Sequence, residues 1–264
     1  MLLSSALLFF VSVKTTTTMT STTTTILITG GGSGIGLQLA RTLSADGHTV
    51  LICGRSEAKL REAARQLPQI ATFACDISEE KDCLRLYDWV QQHYPGCNWL
   101  INNAAIAHRG DFLQEAASLH HAEKEFQTNC MAPIRLSYLF LPHLLKQQNS
   151  RIINISTGLV YAPLRSYPFY NATKAALHSF TRTLRMQLRN KPVHICEVLL
   201  PVVDTPWHKG RQPAGAISPE EAVKEMLEKI QMNKEEIRVG KVKLLYLLAR
   251  LSPALASGLI NRNA

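Results

Sequence analysis

From Ile26 onward the chain alternates two patterns of apolar and polar positions. Short continuous apolar runs predict strands at Ile26–Thr29, His48–Cys53, Ile70–Cys75, Trp99–Asn102, Arg151–Ile155 and Val193–Leu200, with a short last strand at Glu236–Val239. Between them, apolar residues recur at helical spacing over Leu37–Ala45, Ser56–Leu67, Glu79–Tyr94, Leu119–Lys146, Tyr170–Leu188 and Pro219–Met232. Ser56 is placed to cap its helix, and Pro133 and Pro142 are expected to bend the long one. Strands apolar on both faces and separated by helices predict an α/β fold, one doubly wound parallel sheet between two helical layers, over residues 25–240. Sites in such a sheet lie at the carboxyl ends of its strands.

The two ends fall outside that pattern. Residues 1–24 read as a leader or disordered Thr-rich segment: an apolar run Met1–Val13, then Thr15–Thr18 and Thr22–Thr25 around Met19. The run is too short to span a bilayer and has no basic stretch before it. Either Met19 is the working start or the segment is a short membrane-associating or targeting leader, and the body is expected in the cytoplasm. Asn154-Ile155-Ser156 and Asn171-Ala172-Thr173 are formal glycosylation sequons. Residues 241–264 form a basic amphipathic tail, with Leu244, Leu247, Leu248 and Leu251 on one stripe that Pro253 breaks. Such a helix packs on a second subunit or over a pocket; failing that, it makes peripheral contact with a membrane surface.

With 264 residues, 46% of them apolar, the chain can bury one sizeable core. Six cysteines without C-x-x-C spacing predict reduced, buried thiols and no metal site. Of the net charge of +9, Arg238, Lys241, Lys243, Arg250 and Arg262 supply five and Lys14 one, which leaves the body near +3 and argues against a nucleic-acid-binding face.

Candidate chemistry gathers after the strands. Gly30-Gly31-Gly32-Ser33-Gly34-Ile35-Gly36 joins the first strand to a helix, the setting in which glycines let a backbone approach a phosphate and a helix N-terminus faces it. After the second strand, Gly54 stands where an NAD site would carry an acid, and Arg55 follows; a guanidinium suits a 2′-phosphate, so NADP is favoured over NAD. Asp76, with Ile77 after it, can meet an adenine amino group or cap the next helix, and Asn103-Ala104 makes a small turn beside the crevice. Tyr170 and Lys174, one helical turn apart, can share one space, where the ammonium would lower the phenol pKa and suit it to acid–base work.

Taken in order, these motifs resemble the short-chain dehydrogenase/reductase family, with its Rossmann-type fold. Thr29-Gly30-x-x-x-Gly34-x-Gly36, Asn102-Asn103-Ala104, Asn129 and Tyr170-x-x-x-Lys174 match its patterns over about Ile26–Gly240. Leu100–Ile106 and Pro168–Phe180 are similar to a bacterial subgroup named after the lipoteichoic-acid D-alanylation system. The family's catalytic serine is Thr157 here, with Ser156 before it; strand alternation points to Thr157. The family's Pro-Gly is Pro201-Val202, and Val203 and Thr205 fall at nicotinamide-binding positions. The resemblance implies an NADPH-dependent oxidoreductase acting on a small carbonyl or alcohol substrate, as a homodimer or homotetramer. Thr157 and Tyr170 would hold the substrate oxygen, Lys174 would tune Tyr170 and hold the nicotinamide ribose, and Asn129 would position a water. A non-catalytic NADP-binding regulator and a membrane-surface reductase of a lipophilic substrate are the rival readings. His108, Arg109, His208, Lys209 and Arg211 could favour an anionic substrate or be solvated loop charges; His120, His121 and Trp89 read as structural.

Overall fold

The computed structural model describes residues 24–113, 118–208 and 215–262. The leader before Thr24, the side chain of His208, and Lys209 and Arg211 lie outside them. Seven strands form one sheet, β1 (Thr25–Thr29), β2 (Thr49–Gly54), β3 (Ala71–Ala74), β4 (Cys97–Asn102), β5 (Ser150–Thr157), β6 (Val193–Leu200) and β7 (Glu236–Arg238). Their spatial order is β3-β2-β1-β4-β5-β6-β7, and every named pair is parallel. The winding reverses between β1 and β4, which opens a crevice at their carboxyl ends. Thr24 already belongs to the body: it is buried, and its carbonyl accepts the Thr49 N–H at 3.0 Å.

The strands are apolar on both faces because each serves two cores. Ile26 and Ile28 of β1 pack with Leu39 and Leu43 of α1 (Gly34–Ala45), Leu60 of α2 (Glu57–Gln66) and Val223 and Met226 of α7 (Pro219–Gln231). Leu27 points the other way, toward Leu86 and Val90 of α3 (Glu80–His93), Leu136 and Phe140 of α5 (Ala132–Leu144) and Leu184 of α6 (Pro168–Gln187). All six cysteines are buried free thiols. Asn154 is also fully buried, accepting from Asn102 and donating to Thr181, both at 2.8 Å, so the folded chain offers no glycan acceptor there.

Two predicted elements differ. The long helix is divided into α4 (Ser118–Phe126), a π-helical turn (Gln127–Met131) and α5. Pro133 sits in the first turn of α5 and has no N–H for the carbonyl of Asn129, four residues back, so the regular ladder cannot pass through it. The tail becomes α8 (Val242–Leu251) and α9 (Pro253–Asn261), with Ser252 capping α9 ahead of Pro253. The leucine stripe does not face the protein: Leu244, Leu247 and Leu251 are exposed, while Val242 and Leu245 pack on Gly158 just beyond β5.

Candidate active site

The glycine turn is built to exclude side chains. A Cβ on Gly36 would lie 2.4 Å from the Gly30 carbonyl oxygen and 2.6 Å from the Asn103 amide nitrogen, and one on Gly31 would lie 2.4 Å from Ile52. Gly30 and Gly34 take the left-handed backbone that favours glycine. Asn103 staples the turn: Nδ2 donates to the Thr29 carbonyl at 2.9 Å, and the Asn103 and Ala104 N–H groups both reach Thr29 Oγ1 at 3.0 Å. Ser33 is the N-cap of α1 but makes no side-chain bond to its first turn, and no acid lies in that turn. The amide ends of α1 beside Gly32, Ser33 and Ile35 are therefore open toward an anion. Thr205 stands over this turn, its Cβ within 3.5 Å of where a Gly34 side chain would begin, and Val203 is fixed by a bridge to Ile217.

At the β2 end, Arg55 is largely exposed and lies 3.9 Å from Asp76 Oδ2. Asp76 Oδ1 accepts the N–H and hydroxyl of Ser78 at 3.0 and 2.8 Å, a turn ahead of α3 and not its cap, which is Glu79, and Oδ2 is the oxygen nearest Arg55. The Ile77 side chain is in the core.

The hydroxyl end of the site is assembled by β5 and α6. Thr157 ends β5, where its hydroxyl accepts the Leu159 N–H at 3.3 Å and stands near enough to the Tyr170 phenol to favour its ionised form. Ser156 points elsewhere, its buried hydroxyl without a hydrogen-bond partner among the described residues. Lys174 lies one turn along α6, almost wholly buried, and its Nζ donates to the Ile155 carbonyl at 2.8 Å. Nζ is 5.9 Å from the Tyr170 ring centroid. This geometry corrects the expectation that Lys174 lowers the phenol pKa. The ammonium is turned to Ile155, and burial holds the Tyr170 hydroxyl well above its usual value; the neighbouring Thr157 hydroxyl pulls it down in part, and the charge of Glu125 raises it further. Burial pulls Lys174 down to about 8, with Glu197 opposing.

Asn129 lies in the π turn, fully buried. Its Oδ1 accepts the Ile106 N–H at 2.8 Å, and its Nδ2 donates to the Ile106 carbonyl at 2.7 Å and to Thr173 at 3.2 Å. Its side chain thus ties the strand-four turn to α6.

Several neighbours were not picked out from the sequence. Trp207 and Tyr167 stack edge-on to Tyr170 at 6.0 and 6.3 Å between ring centroids. Tyr167 carries a signal, three residues before Tyr170; Trp207 carries none beyond its loop. Fully buried Glu125 takes the His108 N–H at 2.7 Å and faces its ring Nδ1 at 2.9 Å, and His108 stacks on His121. His108 is therefore held by the protein. Arg109 lies over the Tyr167 ring at 5.6 Å.

A doubly wound parallel sheet with a side-chain-free glycine turn at its switch point defines a nucleotide-crevice α/β protein, and a Thr–Tyr–Lys cluster stands at the ends of β5 and α6. The short chain dehydrogenase family model matches residues 24–215. An uncharacterized oxidoreductase of Bacillus subtilis, DltE, is 45% identical over 80% of this chain and 85% of its own length. A fatty acyl-CoA reductase of Acinetobacter baylyi is 32% identical over 72% of this chain and 67% of that protein. Among solved structures, a short-chain dehydrogenase of Burkholderia cenocepacia in complex with NADP superposes with a TM-score of 0.80 at 22% identity, covering 90% of this chain and 97% of that one. One of Burkholderia phymatum in complex with NAD gives 0.78 at 21%, covering 87% and 95%. The chain belongs to the short-chain dehydrogenase family and, with it, to the oxidoreductases.

Proposed function

We propose that the chain is an NADP-preferring oxidoreductase that moves a hydride between a nicotinamide cofactor and a carbonyl or secondary alcohol, with Tyr170 as the acid–base group. The observation that carries this reading is that the Thr157 hydroxyl stands beside the buried Tyr170 phenol, with buried Lys174 one helical turn on and its Nζ 5.9 Å from the Tyr170 ring centroid. The residues present fit such a cofactor. Gly30, Gly32, Ser33, Gly34, Ile35 and Gly36 leave room and open amide groups for a pyrophosphate. Arg55 offers an exposed guanidinium for a 2′-phosphate, and Asp76, Asn103, Ala104, Val203 and Thr205 would serve the rest of the nucleotide, with Ile77, whose side chain is in the core, through its backbone.

When bound, the cofactor supplies or accepts the hydride. Thr157 and Tyr170 bind the substrate oxygen through their hydroxyls. Tyr170 is protonated at neutral pH, as any phenol is, and gives its proton to the carbonyl oxygen as the hydride arrives, although burial makes it a weaker acid than a free phenol. In the reverse direction the same oxygen receives the alcohol proton. Lys174 supplies the positive charge under the ring, and Asn129 is a positioning residue that fixes the wall between Ile106 and Thr173.

Calorimetric titration with NADPH and NADH, wild type beside Arg55→Glu, tests the reading. Tighter NADPH binding is expected, with the preference lost in Arg55→Glu. On a panel of carbonyls, Tyr170→Phe is expected to lose roughly 10²–10⁴-fold in kcat with nucleotide binding retained. Absence of binding by either nucleotide would overturn the reading.

A second reading keeps the chemistry and sets it at a membrane, on a lipophilic substrate. It is favoured by the exposed Leu244, Leu247, Leu251, Leu255 and Leu259 of α8 and α9, flanked by Lys241, Arg250 and Arg262. Pairing of subunits in a homodimer or homotetramer would cover the same leucines.

A further inference from the structure

Four strands carry a polar row behind the site. Strand register pairs Asn102 with Asn154, Asn154 with Glu197, and Glu197 with Glu236. Side chains paired in register across a sheet stand on one face, so the row runs beneath α6. That helix meets it with Lys174, His178 and Thr181, spaced i, i+4 and i+7 and therefore on one side. Thr181 takes the Asn154 amide, and His178 Nδ1 lies 2.7 Å from Glu197 Oε2.

Glu197 is fully buried, and its Oε1 has no hydrogen-bond partner among the described residues. A dry carboxylate is costly unless a cation stands near it. The charged groups around it can be taken element by element. On β7, Arg238 is engaged with Glu236 and Tyr161. On α6, Arg185 donates to the Ile195 and Glu235 carbonyls and pairs with the Glu235 carboxylate at 3.7 Å. The Tyr161 ring meets His178 edge-on at 6.1 Å, and Tyr246 of α8 packs beyond it. Cys130 of the π turn and Cys196 beside Glu197 are the nearby thiols. Lys174 remains: among the described residues it forms no ion pair at contact distance. Its Nζ is anchored on Ile155, the residue after Asn154 in β5, and Glu197 draws it toward the charged form against burial.

We propose that Glu197, oriented by His178, is the counter-ion of Lys174, a positioning pair behind the tyrosine that keeps the ammonium charged and sets the alkaline limit of the site. The proposal rests on the reading of Tyr170 and Lys174 as the catalytic pair. Replacing the carboxylate by an amide removes the attraction that favours the cation. Lys174 then loses its proton at lower pH, and the falling limb of kcat/KM against pH in carbonyl reduction moves the same way.

The test is an NMR titration of the full chain labelled at lysine Cε, with Lys174→Met assigning the resonance. Glu197→Gln is expected to lower the Lys174 midpoint by about 1 pH unit or more, and Glu197→Asp, which keeps the charge, to recover part of that. An unchanged midpoint in folded Glu197→Gln overturns the proposal and leaves Glu197 as a tie between β6 and α6. If Glu197→Gln does not fold, Glu197→Asp decides alone: a carboxylate drawn back by one methylene must lower the midpoint, and an unchanged one overturns the proposal. The signal is the ammonium itself, so loss of this proposal and absence of nucleotide binding are separate results.

Discussion

Lys174 holds a positive charge where water is nearly absent, and that has an energetic signature. Its folded pKa of about 8 lies below the ordinary 10.5. A base depressed in this way contributes stability that is fully present above the unfolded value and is lost as pH falls through the folded one. Below about pH 8 the folded chain therefore carries a penalty on the order of 3 kcal/mol. Lys174→Met is expected to abolish reduction yet raise the melting temperature at pH 6–7 by a few degrees. That advantage should shrink between pH 8 and 10.5; thermal melts of both proteins across this range check it. The spacing of Tyr170 and Lys174 was legible in the sequence, and so was the placing of Thr157 rather than Ser156 on the side of the tyrosine. The state of the phenol was not, because it depends on the Ile155 carbonyl and on burial, which only tertiary packing supplies. Glu197 did leave a trace, as the single acid in the apolar run Val193–Leu200.

Among elements, the turn from β1 into α1 is the least tolerant. Gly36→Ala places a methyl against the Gly30 carbonyl and the Asn103 amide, where backbone on both sides leaves little room to yield. Overpacking of this kind costs about 1–3 kcal/mol. Gly36→Ala is expected to lower the melting temperature and to weaken nucleotide binding by at least about tenfold, read by calorimetry beside the wild type. The strands were legible because a buried parallel sheet needs unbroken apolar runs. The division of the long helix was only half legible: Pro133 announced a bend, but the π turn that places Asn129 depends on contacts with Ile106 and Thr173. The tail misled in a different way. The leucine spacing on α8 identified an amphipathic helix and could not say which side the protein would cover.

At the scale of the whole molecule, exposed apolar side chains and cationic charge meet on the C-terminal helices. The body is closed by two cores, whereas α8 and α9 leave five leucines in the open beside Lys241, Arg250 and Arg262. No helix among the described residues is long and apolar enough to cross a membrane. Subunit pairing predicts that the purified chain has the mass of a dimer or tetramer by light scattering, and that Leu247→Glu with Leu255→Glu lowers it. A mass unchanged by the double variant, together with loss of binding to anionic phospholipid vesicles, would instead favour the membrane reading. The amphipathic stripe of the tail was legible from its leucine spacing.

The aromatic beside the tyrosine has a practical consequence. The chain has three tryptophans. Trp89 is packed among Phe73, His93 and Tyr94, and Trp99 is held in β4 by the Asn149 carbonyl and the guanidinium of Arg151. Only Trp207, among the described residues, stands against Tyr170. Its indole emission overlaps the absorption band of a reduced nicotinamide, so the molecule carries its own optical gauge of occupancy. Trp89 and Trp99 supply a steady background, and the filling of the site can be followed in real time with no dye attached.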